Sequence, residues 1–147
     1  MVESVEIIAV TPQALHDWWP QVTDDLDECR SHDKEETWLE DIYCTLRMGN
    51  AFLYVGLKSG QYAGMMVVTR QQDQWQPRRH WLHVWYLNAR GGPDVIAKGM
   101  DFLEGLARQQ GDEMITFRAD RVAFERWGKR FGFKVGELEL RREINYG

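Results

Sequence analysis

Hydrophobic and polar residues follow two different periods along this chain, and together the two periods predict strands and helices. Short β-rich or alternating runs predict strands at residues 5–10, 51–57, 62–69, 80–87, 114–117 and 135–144. Apolar residues three and four positions apart predict helices after Thr11, after Asp33, after Pro93 and over residues 122–131. The predicted order of elements is therefore β-α-α-β-β-β-α-β-α-β.

The first two helices carry recognisable end signals. Thr11 is the predicted cap of the first helix, with Pro12 at its first position, and Pro20 is expected to kink this helix or split it into two pieces. Asp33 is the predicted cap of the second helix, which Gly49-Asn50 ends.

The spacing of the strands predicts the topology of the sheet. Residues 58–61 form a hairpin turn and residues 71–79 a loop, so three consecutive strands should make an antiparallel meander. The helix after Pro93 runs to about Gln110 and stops at Gly111, and it is long enough for the fifth strand to lie parallel to the fourth through a right-handed crossover. No repeat or linker divides the chain, which predicts one α/β (α+β) domain over residues 1–147, with a mixed central sheet of about six strands.

A turn with two glycines joins the fourth strand to the third helix. Arg90, Gly91 and Gly92 follow the strand, and Pro93 opens the helix. Such a turn directs several backbone N–H groups and the positive end of the helix at one point, which suits an anion such as a pyrophosphate. Arg90 adds a bidentate phosphate donor. An ordinary strand-to-helix turn is the alternative, since glycine-rich turns of this kind are weak signals.

The composition is that of a globular chain with an uneven charge. The 147 residues are 44% hydrophobic and 28% charged, with a net charge of −5. Residues 1–60 carry 4 Lys or Arg against 12 Asp or Glu, a balance of −8, whereas residues 61–147 carry 14 against 11, a balance of +3. Overall acidity argues against sequence-independent binding of nucleic acid. Most of the seven tryptophans lie on apolar stripes, so core packing explains them better than base stacking.

Several other kinds of site and location are not indicated. Cys29 and Cys44 have no metal-type or disulfide spacing, and we interpret them as reduced thiols of a cytoplasmic protein. No cluster of His, Asp or Glu suggests a metal site, and no Gly-x-Ser-x-Gly or Walker A sequence is present. The longest apolar runs are too short to span a bilayer, and the first residues lack the pattern of a secretory signal.

The element order and two motifs resemble the GNAT (Gcn5-related N-acetyltransferase) superfamily. The first motif is the glycine turn after the fourth strand. The second is Lys129-Arg-Phe-Gly-Phe133, because GNAT chains often end a late helix with a basic residue, one further residue and Gly-Phe before a final strand. The topology covers nearly the whole chain, and the motifs a smaller part of it. The compact size is also similar to that of small GNAT-like proteins encoded by bacteriophages.

This resemblance implies transfer of an acetyl group from acetyl-CoA, the co-substrate, to an amine. In the superfamily the fourth and fifth strands splay apart, and the pantetheine arm lies in the gap against the backbone of the fourth strand. The loop that follows cradles the pyrophosphate. The matching positions in this chain are Tyr86, Leu87 and Asn88 for the pantetheine, and Arg90, Gly91 and Gly92 for the pyrophosphate.

Two departures from the superfamily pattern motivate an alternative. The usual loop has Arg or Gln, two free positions, Gly, one free position and then Gly or Ala, but Pro93 and Val95 stand at those two points after Arg90. A tyrosine of the last helix often protonates the departing thiolate, yet no tyrosine lies between Glu113 and Arg142. The alternative hypothesis is a GNAT-like binding or structural module without catalysis.

The aromatic fourth strand supplies the candidate acid and base. Histidine titrates near neutral pH with little tuning, so His83 is the candidate general base, and Tyr86 the candidate acid toward the thiolate. Packing roles are the alternatives for both.

The acceptor amine is expected on a small molecule or a protein. The acidity of the first two helices favours a cationic acceptor, although solvated acidic helices are the commoner explanation. The acidic residues concerned are Asp24, Asp25, Asp27 and Glu28. The sequence leaves a homodimer open.

Overall fold

The fold comes from a computed structural model, which describes residues 4–30, 38–117 and 130. The described elements follow the order β-α-α-β-β-β-α-β. The strands are β1 (Val5–Val10), β2 (Phe52–Lys58), β3 (Gln61–Gln72), β4 (His80–Ala89) and β5 (Ile115–Phe117), and the helices are α1 (Leu15–Arg30), α2 (Leu39–Arg47) and α3 (Pro93–Gln110). The predicted last helix, the predicted sixth strand and the cap at Asp33 lie outside the described residues.

One mixed sheet organises the described residues, with its strands in the order β1-β2-β3-β4-β5. Strands β2, β3 and β4 pair antiparallel, which confirms the predicted meander. β1 also pairs antiparallel with β2. β5 lies parallel to β4, as predicted, because the 18 residues of α3 carry the chain back along the sheet before β5 begins. The mixed α+β class is confirmed, with five strands described where about six were predicted.

The two faces of the sheet are covered by different helices. Side chains alternate along a strand, so over residues 53–55 of β2 and 65–68 of β3 the odd-numbered residues face one side and the even-numbered residues the other. On one face, α1 and α2 pack against Leu53, Val55, Met65 and Val67. On the opposite face, α3 packs against Tyr54, Met66 and Val68. We call these sides the α1/α2 face and the α3 face.

Helix α1 runs through Pro20 without a break. The Thr11 hydroxyl accepts the Ala14 N–H at 3.2 Å, so Thr11 caps the turn just before the helix begins at Leu15. Of the two outcomes expected at Pro20, the split is wrong, and the kink stays a prediction. Proline removes one hydrogen bond to the carbonyl of His16, four residues earlier, but both residues are exposed, so water can satisfy that carbonyl.

Candidate functional site

A β-bulge interrupts the alternation of side chains in the middle of β4. Val68 pairs with Val84 and Val67 pairs with Tyr86, which leaves Trp85 as the extra residue of β4. Val84 packs on the α3 face, whereas Trp85 and Tyr86 both pack on the α1/α2 face. The strand therefore changes the phase of its side chains at Trp85.

The bulge puts the two predicted catalytic side chains on the same face. His83 pairs with Thr69, two residues along β3 from Val67, so His83 shares the α1/α2 face with Val67. In a regular strand, residues three positions apart face opposite sides. Tyr86 nevertheless also lies on the α1/α2 face, because the extra residue shifts it there.

His83 and Tyr86 differ in their surroundings. The His83 ring is half-buried, and its Nδ1 lies 2.8 Å from the hydroxyl oxygen of Thr116 in β5. Tyr86 is 5% exposed and belongs to the core of the α1/α2 face, with its ring centroid 5.0 Å from that of Trp85. Ring packing fixes Tyr86 within the core.

The junction of β4 and β5 is described only at its beginning. Leu82, His83 and Val84 pair with Ile115, Thr116 and Phe117. Phe117 is the last described residue of β5, so the predicted splay of the two strands beyond the bulge stays a prediction.

The end of β4 packs closely against β3 and α1. A Cβ atom on Gly64 would lie 2.5 Å from the carbonyl oxygen of Asn88, so only glycine lets β3 approach β4 here. The Leu87 carbonyl oxygen accepts the Cys29 thiol at 3.5 Å. Burial raises the pKa of Cys29 to about 11, more than its bond to Leu87 lowers it. The Asn88 side-chain amide donates to Asp25 at 3.2 Å and to Glu28 at 3.1 Å.

Asp25 is a fully buried carboxylate at the centre of a polar network. It accepts the Tyr62 hydroxyl at 2.5 Å, the Asn88 amide and the Arg90 Nε–H. Burial, followed by the bond to Asp25, raises the pKa of Tyr62. The expectation that Asp25 belongs to a solvated acidic helix face is wrong, because this carboxylate is buried among protein donors. The cationic acceptor stays a prediction.

The Arg90 side chain is directed at α1 in the structure. Its Nε–H donates to Asp25, and its Nη2 lies 3.7 Å from Glu28. The hydrogen bond to Asp25 raises the pKa of Arg90. The side chain is 53% exposed, so part of the guanidinium faces solvent beside the loop.

Backbone N–H groups of the β4–α3 loop donate hydrogen bonds to acceptors within the protein. The N–H groups of Arg90 and Gly91 both donate to the Ala63 carbonyl, at 2.8 and 3.2 Å. A Cβ atom on Gly91 would lie 2.5 Å from Val95 and 3.0 Å from Ala63, so the loop can pass here only with glycine. Among the described residues, the Gly92 N–H has no backbone or side-chain acceptor.

Lys58 and Asp94 form an ion pair at the start of α3. The ammonium of Lys58 donates to the Gly91 carbonyl at 2.8 Å and lies 3.0 Å from the Asp94 carboxylate. Asp94 also accepts the Val95 N–H at 3.1 Å, and its bond with Lys58 lowers its pKa. An internal carboxylate therefore occupies the helix end where an anion would bind.

A small cavity lies beside this loop. The space between the sheet and the first turns of α3, lined by Tyr54, Leu87 and Val95, has a volume of about 20 Å³. That volume suits a single water molecule.

Within the described ranges, no three His, Cys, Asp or Glu side chains gather as a metal site. Over the same residues, no helix is both long and apolar enough to cross a membrane.

Four residues of this region were not among the predicted site residues. They are Asp25, Lys58, Tyr62 and Thr116. The sequence could have indicated that Asp25 is buried and paired. It stands three positions after Val22 on the apolar stripe of α1, where a charged side chain needs a partner. Lys58 was predicted in a hairpin turn and is the last residue of β2 in the structure, and Thr116 lies in a short strand. Neither sequence pattern predicts what these side chains contact.

Comparison with known proteins finds similarity of structure but not of sequence. No model of a protein family matches the chain, and no curated protein matches it. An aminoglycoside acetyltransferase from an uncultured soil metagenomic sample, in complex with sisomicin, superimposes with a TM-score of 0.72 at 11% identity over 97% of both chains. Ribosomal-protein-alanine N-acetyltransferase from Brucella melitensis biovar Abortus 2308 gives 0.67 at 14% identity, over 98% of this chain and 100% of that one.

A third structure carries acetyl-CoA. This predicted acetyltransferase from Clostridium acetobutylicum gives a TM-score of 0.68 at 10% identity, over 95% of this chain and 96% of that one. At these identities the likeness is one of fold, and it confirms the GNAT-like fold that the sequence predicted. The comparisons give no support to the expected bacteriophage source.

Proposed function

We propose that this protein is an acyl-CoA-dependent N-acyltransferase that transfers an acetyl group to an amine. The observation that carries the proposal is the bulge at Trp85, which brings a histidine and a tyrosine onto one face of β4 beside its junction with β5. Bulges next to active sites re-aim side chains and leave backbone groups unpaired. The fold shared with structures named as acetyltransferases supports the same activity.

The chemistry requires one base and one acid near the thioester. The amine nitrogen attacks the thioester carbonyl carbon, so that a C–N bond forms and the C–S bond breaks. The amine loses one proton to His83, and the departing CoA thiolate takes up one proton from Tyr86. His83 then releases its extra proton to solvent and Tyr86 regains one, so that both side chains return to their starting state. A general base or acid of this kind contributes about 10²–10⁴ in rate.

Acetyl-CoA would lie along the second half of β4, with its pyrophosphate at the loop before α3. The loop fits this role in part. Gly91 and Gly92 keep it free of side chains, and the Gly92 N–H has no acceptor among the described residues. Arg90 has an exposed portion beside the loop, and Lys58 brings a second positive charge. Binding requires the Asp94 carboxylate to give way to the phosphates.

A GNAT-like binding or structural module without catalysis is the second candidate. The state of the loop favours it, because the N–H groups of Arg90 and Gly91 both donate to Ala63, and Asp94 already occupies the helix end. On this hypothesis Lys58 and Asp94 are a permanent cap of α3 and no acyl-CoA binds.

Release of CoA thiol from acetyl-CoA, followed over a panel of primary amines, tests the activity. We expect turnover with at least one amine and a decrease in kcat of about 100-fold in the His83→Gln variant. His16→Gln is the matched control, since His16 is exposed on α1, and it should leave turnover unchanged. Absence of turnover with every amine would favour the module without catalysis.

A further inference from the structure

Thr116 lies beside the His83 ring across the parallel pair of β4 and β5. The two residues are register partners, so their side chains stand next to each other on the α1/α2 face. The Thr116 hydroxyl oxygen is 2.8 Å from His83 Nδ1 and 3.4 Å from the carbonyl oxygen of Leu82. Both side chains are half-buried, so this contact is partly shielded from competing water.

Both contacts of the hydroxyl can be hydrogen bonds at the same time only when His83 carries a proton on Nδ1. A threonine hydroxyl has one proton to donate, and a carbonyl oxygen can only accept. When Thr116 donates to the Leu82 carbonyl, its oxygen is left as an acceptor for the Nδ1–H of His83. A neutral imidazole protonated at Nδ1 has its lone pair on Nε2.

We propose that Thr116 is a positioning residue, which holds His83 in the tautomer protonated at Nδ1 so that Nε2 receives the proton of the attacking amine. The role of Thr116 in catalysis rests on the proposed acyltransferase function. The tautomer of His83 can be observed without turnover. The same hydrogen bond fixes the orientation of the His83 imidazole ring relative to β4.

The tautomer is tested first by NMR on the full-length protein labelled with ¹⁵N. Correlations between the ring nitrogens and the ring carbon-bound protons distinguish a protonated Nδ1 from a protonated Nε2. The signals of His83 are identified as those lost in the His83→Gln variant, since the chain has only 4 histidines. We expect the neutral His83 ring to carry its proton on Nδ1. A proton on Nε2 overturns the proposal.

Thr116→Val and Thr116→Ser then test whether the hydroxyl is the cause. Valine keeps the shape of threonine without the hydroxyl, and serine keeps the hydroxyl. We expect Thr116→Val to lose the preference for Nδ1–H and Thr116→Ser to retain it. If Thr116→Val does not fold, as judged by circular dichroism, Thr116→Ala replaces it. Unchanged ring signals in the folded variant without the hydroxyl overturn the proposal.

Turnover separates a failure of this inference from a failure of the proposed function. With the amine that gives the fastest thiol release, Thr116→Val should lower kcat by about tenfold and leave the KM for acetyl-CoA unchanged, and Thr116→Ser should restore kcat. An unchanged kcat despite the changed tautomer overturns the positioning role alone. If the native protein has the expected tautomer but no turnover, the proposed function is overturned. The proposed role of Thr116 in catalysis is then overturned as well.

Discussion

The Asp25 carboxylate joins three parts of the molecule at the scale of a single residue. It lies on α1 and accepts hydrogen bonds from Tyr62 in β3, Asn88 in β4 and Arg90 in the loop. Asp25→Asn replaces one acceptor oxygen with a donor, which leaves part of this network unsatisfied in a buried place. We expect a loss of about 3 kcal/mol in the free energy of unfolding, measured by urea denaturation.

Asp24→Asn is the matched control for the Asp25 variant. It makes the same substitution one position earlier, where the side chain is exposed, and should change the free energy of unfolding by less than about 0.5 kcal/mol. Equal effects at the two positions would contradict the network described here.

The two cysteines should differ strongly in reactivity toward a thiol reagent. Only the thiolate is nucleophilic, and a pKa of about 11 keeps Cys29 protonated at pH 8, with its thiol bonded to Leu87. Cys44 is exposed. We expect one thiol per folded chain to react rapidly with Ellman's reagent at pH 8, and both to react in denaturant. The Cys44→Ser variant should then show almost no rapid reaction, and a rapid reaction in that variant would disprove the assignment.

Single residues were the hardest features to predict from the sequence, because their contacts are distant along the chain. The apolar stripe of α1 indicates that Asp25 faces the core, but its partners Tyr62, Asn88 and Arg90 lie 37, 63 and 65 residues away. The sequence predicted Arg90 as a phosphate donor because of its place in the glycine turn. It gave no sign that Asp25 competes for the same guanidinium.

Proline and glycine marked the ends of the third helix well but not the start of the first, which begins at Leu15 and not at Pro12 as predicted. The third helix was predicted from Pro93 to about Gln110 and observed as Pro93–Gln110, because proline fits its first turn and Gly111 adopts the left-handed conformation at its end. The bulge at Trp85 could not be predicted in the same way. Trp85 is as apolar as its neighbours, and the extra residue depends on how β4 pairs with β3.

The loop between β4 and α3 should tolerate no side chain at Gly91. A methyl group there would meet Val95 and Ala63 at less than normal contact distances, so Gly91→Ala should destabilise the protein by about 1–3 kcal/mol. Gly105→Ala is the matched control in α3, where a Cβ atom meets nothing within 4 Å. Because alanine favours helix, that variant should be more stable by about 0.5–1 kcal/mol. Urea denaturation of both variants checks the opposite signs.

The ion pair of Lys58 and Asp94 should control how tightly the loop holds an anion. Asp94→Asn removes the internal carboxylate while keeping a side chain of the same size, so acetyl-CoA should bind about twofold to fivefold more tightly. Lys58→Met removes the positive charge and should weaken binding. Calorimetric titration of both variants gives the comparison, and an Asp94→Asn protein that binds acetyl-CoA no better than the native one would contradict this role.

At the scale of the whole molecule, the order of elements was enough to predict the arrangement of β2–β5. Strands joined by short loops are antiparallel, and a strand reached through one long helix can be parallel. The antiparallel pairing of β1 with β2, which two helices separate along the chain, does not follow from loop lengths. A cleft between β4 and β5 does not follow in this way. A cleft requires β4 and the chain after Phe117 to lie apart. The pattern of hydrophobic residues in the sequence does not predict the distance between two strands.

Binding of acetyl-CoA to the native protein tests the central claim most directly. Isothermal titration calorimetry should give saturable binding at one site per chain, with a dissociation constant between about 1 µM and 1 mM. The Gly91→Ala variant should bind more weakly, because the loop can no longer pass close to Ala63 and Val95. No heat and no thermal shift at millimolar acetyl-CoA would contradict the acyltransferase function and leave the molecule a binding or structural module.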